Sequence, residues 1–236
     1  MHPLLGEFVG TTLVVLLGNG VVANVILNKT KGHNGGLIVI TVGWAMAVFV
    51  GVFTVASASG AHLNPAVTVA LAVAGKFAWS DVSGYVAVQM LGGMMGAFLV
   101  WLVYRKHFEQ TPCGDTKLAV FCTAPAIRNI FGNLVSEVIG TFVLVCGVLS
   151  IASPKYGLGA LDALPVALLV MSIGVSLGGT TGYAINPARD LGPRLMHALL
   201  PIPGKRDSDW GYAFVPVVGS LLGGTLAALL YVFQAV

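Results

Sequence analysis

Gly60-Ala61-His62-Leu63-Asn64-Pro65-Ala66-Val67 and Gly182-Tyr183-Ala184-Ile185-Asn186-Pro187-Ala188-Arg189 decide how this chain folds. Each string runs from a glycine to an Asn-Pro-Ala triplet. Each leads into an apolar stretch, residues 65–74 and 187–199, that is too short to cross a bilayer. Asn is a favoured helix N-cap because its side-chain oxygen accepts from a free amide of the first turn. Pro suits the first helical position, where the missing N–H would have had no partner. Each triplet therefore reads as the start of a half-length helix.

Around these strings lie six apolar stretches near the length of about 20 residues that a spanning helix needs. They cover residues 3–27, 36–56, 82–104, 133–152, 161–177 and 211–233. The composition agrees, with 56% hydrophobic and 9% charged residues, against about 25% charged in a soluble domain. The N-terminal stretch lacks a basic leader and runs too far for a signal peptide, so it is predicted to be the first span. The connection 105–131 is 27 residues long, long enough to lie over a channel mouth.

The chain is also a duplication. Gly6-Glu7-Phe8-Val9-Gly10-Thr11 answers Ser136-Glu137-Val138-Ile139-Gly140-Thr141, and the stretch with Gly92 and Gly96 answers the one with Gly219 and Gly223. Matches fall in the same order in both halves, which gives one domain over 1–236 with repeats 1–115 and 130–236. Three spans per half is an odd number, so the second half enters the membrane from the opposite face. Inverted repeats of this kind belong to transport proteins.

Segments 60–63 and 182–185 precede the half-helices and carry unpaired backbone groups. Each such group costs several kcal/mol against lipid, so both segments are buried in protein or line water. In an inverted pair the two helix N-termini meet near the midplane, each carrying roughly half a positive charge. A lumen between them repels cations, while the Asn amides donate to a passing hydroxyl and the carbonyls of the extended segments accept.

The paired Asn64-Pro65-Ala66 and Asn186-Pro187-Ala188, set in SGAHLNPAVT (59–68) and NPARDLGP (186–193), resemble the signature of the aquaporin, or major intrinsic protein, family. The resemblance covers nearly the whole chain. It implies an all-α membrane fold of six spans and two re-entrant half-helices in an inverted 3+3 arrangement. Further implications are a homotetramer with one pore per copy, a multi-pass position in the plasma membrane, and both termini in the cytoplasm. The pore lining would include the backbone of Gly60, Ala61, His62, Leu63, Gly182, Ala184 and Ile185.

Matched residue by residue, the resemblance gathers Trp44, Gly174, Tyr183 and Arg189 into a selectivity filter. Water-selective members typically carry His at the place of Gly174. Gly174 leaves space instead, beside two aromatic faces, and Asp190 after the Arg matches the polyol-conducting branch that includes the bacterial glycerol uptake facilitators. A polyol fits such a corner, its carbons on the aromatic rings and its hydroxyls on Arg189. Glycerol facilitators commonly have Phe where this chain has Tyr183, which leaves dihydroxyacetone, lactic acid, urea and hydrogen peroxide as alternative solutes, and a water-selective channel is the runner-up in the same fold. The expected partners are small neutral solutes, water and lipid.

Glu7 and Glu137 lie inside spans, where an acid is functional by default. Their symmetry points to a shared structural role, and the resemblance implies that each accepts from the backbone of a re-entrant loop. Asp190 is assigned to loop packing, and His62 to bracing its loop. Other functions fare worse. A coupled transporter needs free midplane carboxylates, and only the two symmetric glutamates are available. No Ser/His pair, His-Glu-x-x-His run or carboxylate dyad suggests an enzyme. Three cysteines without a C-x-x-C pair and a net charge of +3 suggest no metal, cofactor, disulfide framework or nucleic acid. Basic residues count against the family orientation. Lys76 and Lys155 would face the cytoplasm, and Lys29, Lys31, Arg105, Lys106, Lys117, Arg128, Lys205 and Arg206 the outside. The family orientation is retained because the duplicated fold works mechanically either way.

Overall fold

The computed structural model describes residues 1–151, 157 and 159–234, so the end of the fourth predicted span at Ala152, and Lys155, lie outside the described residues. The described chain is all-helical and holds six helices long and apolar enough to cross a membrane. These are α1 (Pro3–Ile26), α2 (Gly36–Ser59), α4 (Trp79–Gln110), α6 (Ile130–Ser150), α7 (Leu164–Thr181, preceded by a 3₁₀ turn at Gly159–Ala163) and α9 (Phe214–Gln234). Leucine, isoleucine, valine and phenylalanine side chains stand exposed along them, as a lipid-facing surface requires.

The half-helices are α3 (Pro65–Val73) and α8 (Pro187–Leu199). At 1.5 Å per residue they measure about 14 and 20 Å, short of the roughly 30 Å hydrocarbon core. Both begin as the sequence predicts, with Asn64 accepting from the Ala66 N–H, and Asn186 from those of Ala188 and Arg189.

Elsewhere the structure departs from sequence expectation. The span predicted to stop at residue 104 continues to Gln110, because Lys106 and Glu109 pair one turn apart (2.9 Å) and Phe108 is buried against Phe121. The connection 105–131 is thus partly helical, holding the end of α4 and α5 (Gly114–Ala119). Its remainder is tied inward. Asn19 Nδ2 donates to the Phe121 carbonyl (3.2 Å), while the Thr123 N–H and hydroxyl donate to Asp190 (2.7 and 2.6 Å).

Packing interlocks the two halves. α1 lies along α4 and α6 along α9, but α3 packs on α9 and α8 on α4, each half-helix leaning on the other half's last span. Glycines permit this closeness. A Cβ on Gly92 would stand 2.6 Å from the Phe8 carbonyl, one on Gly223 2.2 Å from that of Val138, and one on Gly93 2.4 Å from that of Ala188. Small-residue contact of this kind lets helices associate where no hydrophobic effect drives them. Gly223→Ala is therefore expected to cost about 1–3 kcal/mol despite alanine's better helix propensity. Gly20→Ala, where a Cβ meets open space, should cost nothing. Thermal unfolding in detergent separates the two, and equal stabilities would refute close α6–α9 packing.

Candidate functional site

Both re-entrant loops are made by one local device. α2 and α7 each end on a left-handed glycine, Gly60 (φ 81°) and Gly182 (φ 81°). Positive φ then recurs at Ala61 (52°) and Leu63 (50°), and at Tyr183 (39°) and Ile185 (45°). The loops are therefore not the plain extended segments that the sequence suggests. Non-glycine residues rarely adopt this region, and each costs of order 1–3 kcal/mol unless its surroundings enforce it.

Two buried glutamates supply that enforcement. Glu7 accepts from the N–H groups of His62 (2.9 Å) and Leu63 (2.7 Å), from the Ser59 hydroxyl (2.7 Å) and from the Gln89 amide (2.7 Å). Glu137 accepts from the N–H groups of Ala184 and Ile185 (3.0 Å each) and from the Thr181 hydroxyl (2.6 Å). With N–H groups drawn toward the glutamates, the carbonyls of 60–62 and 182–184 accept no described hydrogen bond from the protein.

The half-helix tips meet. Asn64 Nδ2 donates to the Ile185 carbonyl (2.8 Å) and Asn186 Nδ2 to the Leu63 carbonyl (2.9 Å), so each cap is anchored on the opposite loop. An amide nitrogen has two hydrogens, which leaves one on each Asn. Both Asn residues border a single cavity of about 170 Å³ that passes between the tips. Residues of both re-entrant loops line it, namely Gly60, Ala61, His62, Leu63, Tyr183, Ala184 and Ile185, together with Arg189. Valines and leucines complete the lining, among them Val48, Val52, Val170, Leu71 and Leu144. Pro65, Ala66, Pro187 and Ala188 form the helix starts behind this lining and do not border it.

At one end Trp44, Tyr183 and Arg189 come together, all buried. The Arg189 guanidinium sits 4.1 Å from the Trp44 ring centroid. This cation–π contact holds the charge without consuming a donor, and none of the described hydrogen bonds uses a guanidinium N–H of Arg189. Asp190 points away from the cavity, accepting from Thr123 and pairing with Arg194 at 2.8 Å with both side chains fully buried. His62 borders the cavity near its other end. Its Nδ1 is 3.2 Å from the Thr68 hydroxyl, and its ring packs against Phe77 and Tyr85.

Two expectations need correction, at Gly174 and at Gly182. Gly174 does not border the cavity or leave open space. A Cβ there would meet the Thr41 methyl at 2.6 Å and the Tyr183 ring at 2.8 Å, so the tyrosine fills the room. The Tyr183 hydroxyl is buried beside Gly174 and makes none of the described hydrogen bonds. Gly182 lies behind the lining, against Thr123. Sequence reasoning also passes over Ser59, Gln89, Thr181 and Thr123, which complete the carboxylate networks, and over the apolar wall. The wall did leave a signal. Trp44, Val48 and Val52 recur every four residues, as do Val166 and Val170 at matching places of the second half.

Comparison with known proteins agrees with this architecture. The family model described as Major intrinsic protein matches residues 1–231. A protein of Thermotoga maritima named "Probable glycerol uptake facilitator protein" is 58% identical over 231 residues, covering 98% of each chain. Glycerol uptake facilitator protein 3 of Lactiplantibacillus plantarum is 54% identical over 228 residues, or 97% of this chain and 95% of the relative. The X-ray structure of the aquaglyceroporin from Plasmodium falciparum superposes with a TM-score of 0.86 at 30% identity, over 97% of this chain and 94% of that one. Six spans, two half-helices joined tip to tip and a family match over almost the full length lead to one conclusion: this multi-pass membrane protein belongs to the major intrinsic protein family.

Proposed function

We propose that the chain is a passive channel for glycerol and other small neutral solutes, which also passes water and excludes protons and ions. One observation carries this reading: a single cavity is bordered both by unspent hydrogen-bonding groups and by aliphatic side chains. A polyol is amphipathic in the same sense, with hydroxyls on one edge and carbons on the other. Trp44 and Tyr183 take its carbon chain while Arg189 donates to two adjacent hydroxyls, and Gly174 serves by admitting the Tyr183 ring. The Asn64 and Asn186 amides then donate to each hydroxyl in turn at the midplane. Two helix N-termini aimed at that point oppose a cation there.

The names of the similar proteins support glycerol as the solute. A coupled carrier is disfavoured, since both glutamates are committed to neutral donors and the half-helices tie each half to the other. The repeats 1–115 and 130–236 form one channel domain, which we place in the plasma membrane as a homotetramer with cytoplasmic termini.

Stopped-flow light scattering on proteoliposomes tests the reading, with glycerol, urea and an impermeant sugar as osmolytes. Glycerol should cause rapid re-swelling without any change in proton conductance. Re-swelling as slow as in protein-free liposomes, together with raised water flux, would refute the polyol assignment.

A further inference from the structure

We infer that the aperture of the filter is set from behind by two glycines, Gly18 on α1 and Gly178 on α7, acting as positioning residues for Trp44 and Tyr183. The inference rests on the reading above that these two rings touch solute. A Cβ on Gly18 would lie 2.2 Å, 2.3 Å and 2.5 Å from three carbons of the Trp44 indole. One on Gly178 would lie 2.5 Å and 2.9 Å from two carbons of the Tyr183 ring. Carbons do not approach so closely, and a rigid ring cannot fold its far end aside. The ring must move as a body. The Arg189 guanidinium lies over the same ring, 4.1 Å from its centroid, so a methyl group at Gly18 resets the gap between ring and guanidinium.

The second repeat gives independent support. Counting from the matched glutamates and the matched Asn-Pro-Ala triplets, Gly18 corresponds to Val148 and Trp44 to Val166. Val148 and Val166 both line the cavity. The first half thus has a glycine and a tryptophan where the second has two valines, a recessed wall plus a large ring in place of two medium side chains. Likewise Gly178 and Tyr183 stand where the first half has Ala56 and Ala61. Each ring enters together with a glycine at its back.

The test uses the full chain in proteoliposomes and reads the ratio of glycerol to water permeability. Gly18→Ala should lower that ratio roughly tenfold, since overpacking displaces the ring that the wider solute must pass. Gly178→Ala should lower it in the same direction. Trp44→Phe, a smaller ring, should restore the ratio when combined with Gly18→Ala, a rescue that general loosening of α1 against α2 would not produce. If Gly18→Ala alone does not fold, the double variant still decides, because renewed folding with glycerol passage supports the inference and failure of both overturns it. Trp44→Ala alone separates the two layers. An unchanged ratio there refutes Trp44 as a filter residue. A changed ratio there, with Gly18→Ala and Gly178→Ala like wild type, refutes the positioning role of the glycines and leaves the filter standing.

Discussion

Asp190→Ala is expected to lower the unfolding temperature in detergent by roughly 6–20 °C, from a loss of about 3–5 kcal/mol. Asp190 and Arg194 are both fully buried, and the pair is closed by two contacts of 2.8 and 2.9 Å. The same carboxylate holds the Thr123 N–H and hydroxyl. Removing it strands a guanidinium out of water and frees segment 120–123 from α8. Arg189 is the next residue, so glycerol flux per folded channel should fall as well. Asp115→Ala, which breaks the surface pair with Arg206, is the control and should leave stability unchanged. Asp190→Leu combined with Arg194→Met should be less harmful than Asp190→Ala, because no unpaired charge remains. Equal unfolding temperatures for Asp190→Ala and Asp115→Ala would show that the buried pair does not hold α8.

Glu137→Leu should abolish glycerol flux altogether. The Thr181 hydroxyl and the N–H groups of Ala184 and Ile185 would lose their only described acceptor. At about 1–3 kcal/mol for each buried unpaired donor, roughly 3–9 kcal/mol is withdrawn from a loop that also carries two strained residues. Tyr183 and Ile185 would then relax from positive φ. Ile185 would cease to present the carbonyl that anchors Asn64, so damage to one loop spreads to the other tip. Glu137→Gln keeps one carbonyl acceptor and should retain partial flux. Measured in proteoliposomes, full glycerol flux through the Glu137→Leu channel would mean that its loop needs no acceptor. A Glu137→Gln flux that rose and fell with an imposed proton gradient would instead expose a coupled carrier.

Much of this protein is legible locally. Asn64-Pro65 and Asn186-Pro187 announce helix starts because capping chemistry acts within three residues. Glu7, Glu137 and Arg189 stand out because ionisable groups in an apolar chain demand an explanation wherever they sit. The six spans follow from length and apolarity, and the largest miss is the overrun of α4, since a polar continuation with its own ion pair looks like a loop. Gly174, by contrast, is misread as open space. A glycine reports the absence of its own side chain and says nothing about which neighbour fills the volume.

The sequence alone determined the number of spans, the inverted duplication and the two places where helices begin in mid-membrane, because backbone hydrogen-bond demand and periodicity are properties of contiguous residues. Only the tertiary structure decided which loop groups are spent on the glutamates, that α3 and α8 cross to the opposite half, and that Tyr183 fills the room beside Gly174. Those outcomes depend on contacts between different elements, from Glu7 with His62 to Asn64 with Ile185 and Asn186 with Leu63. A steric boundary is set by both partners, and no single stretch of chain contains both.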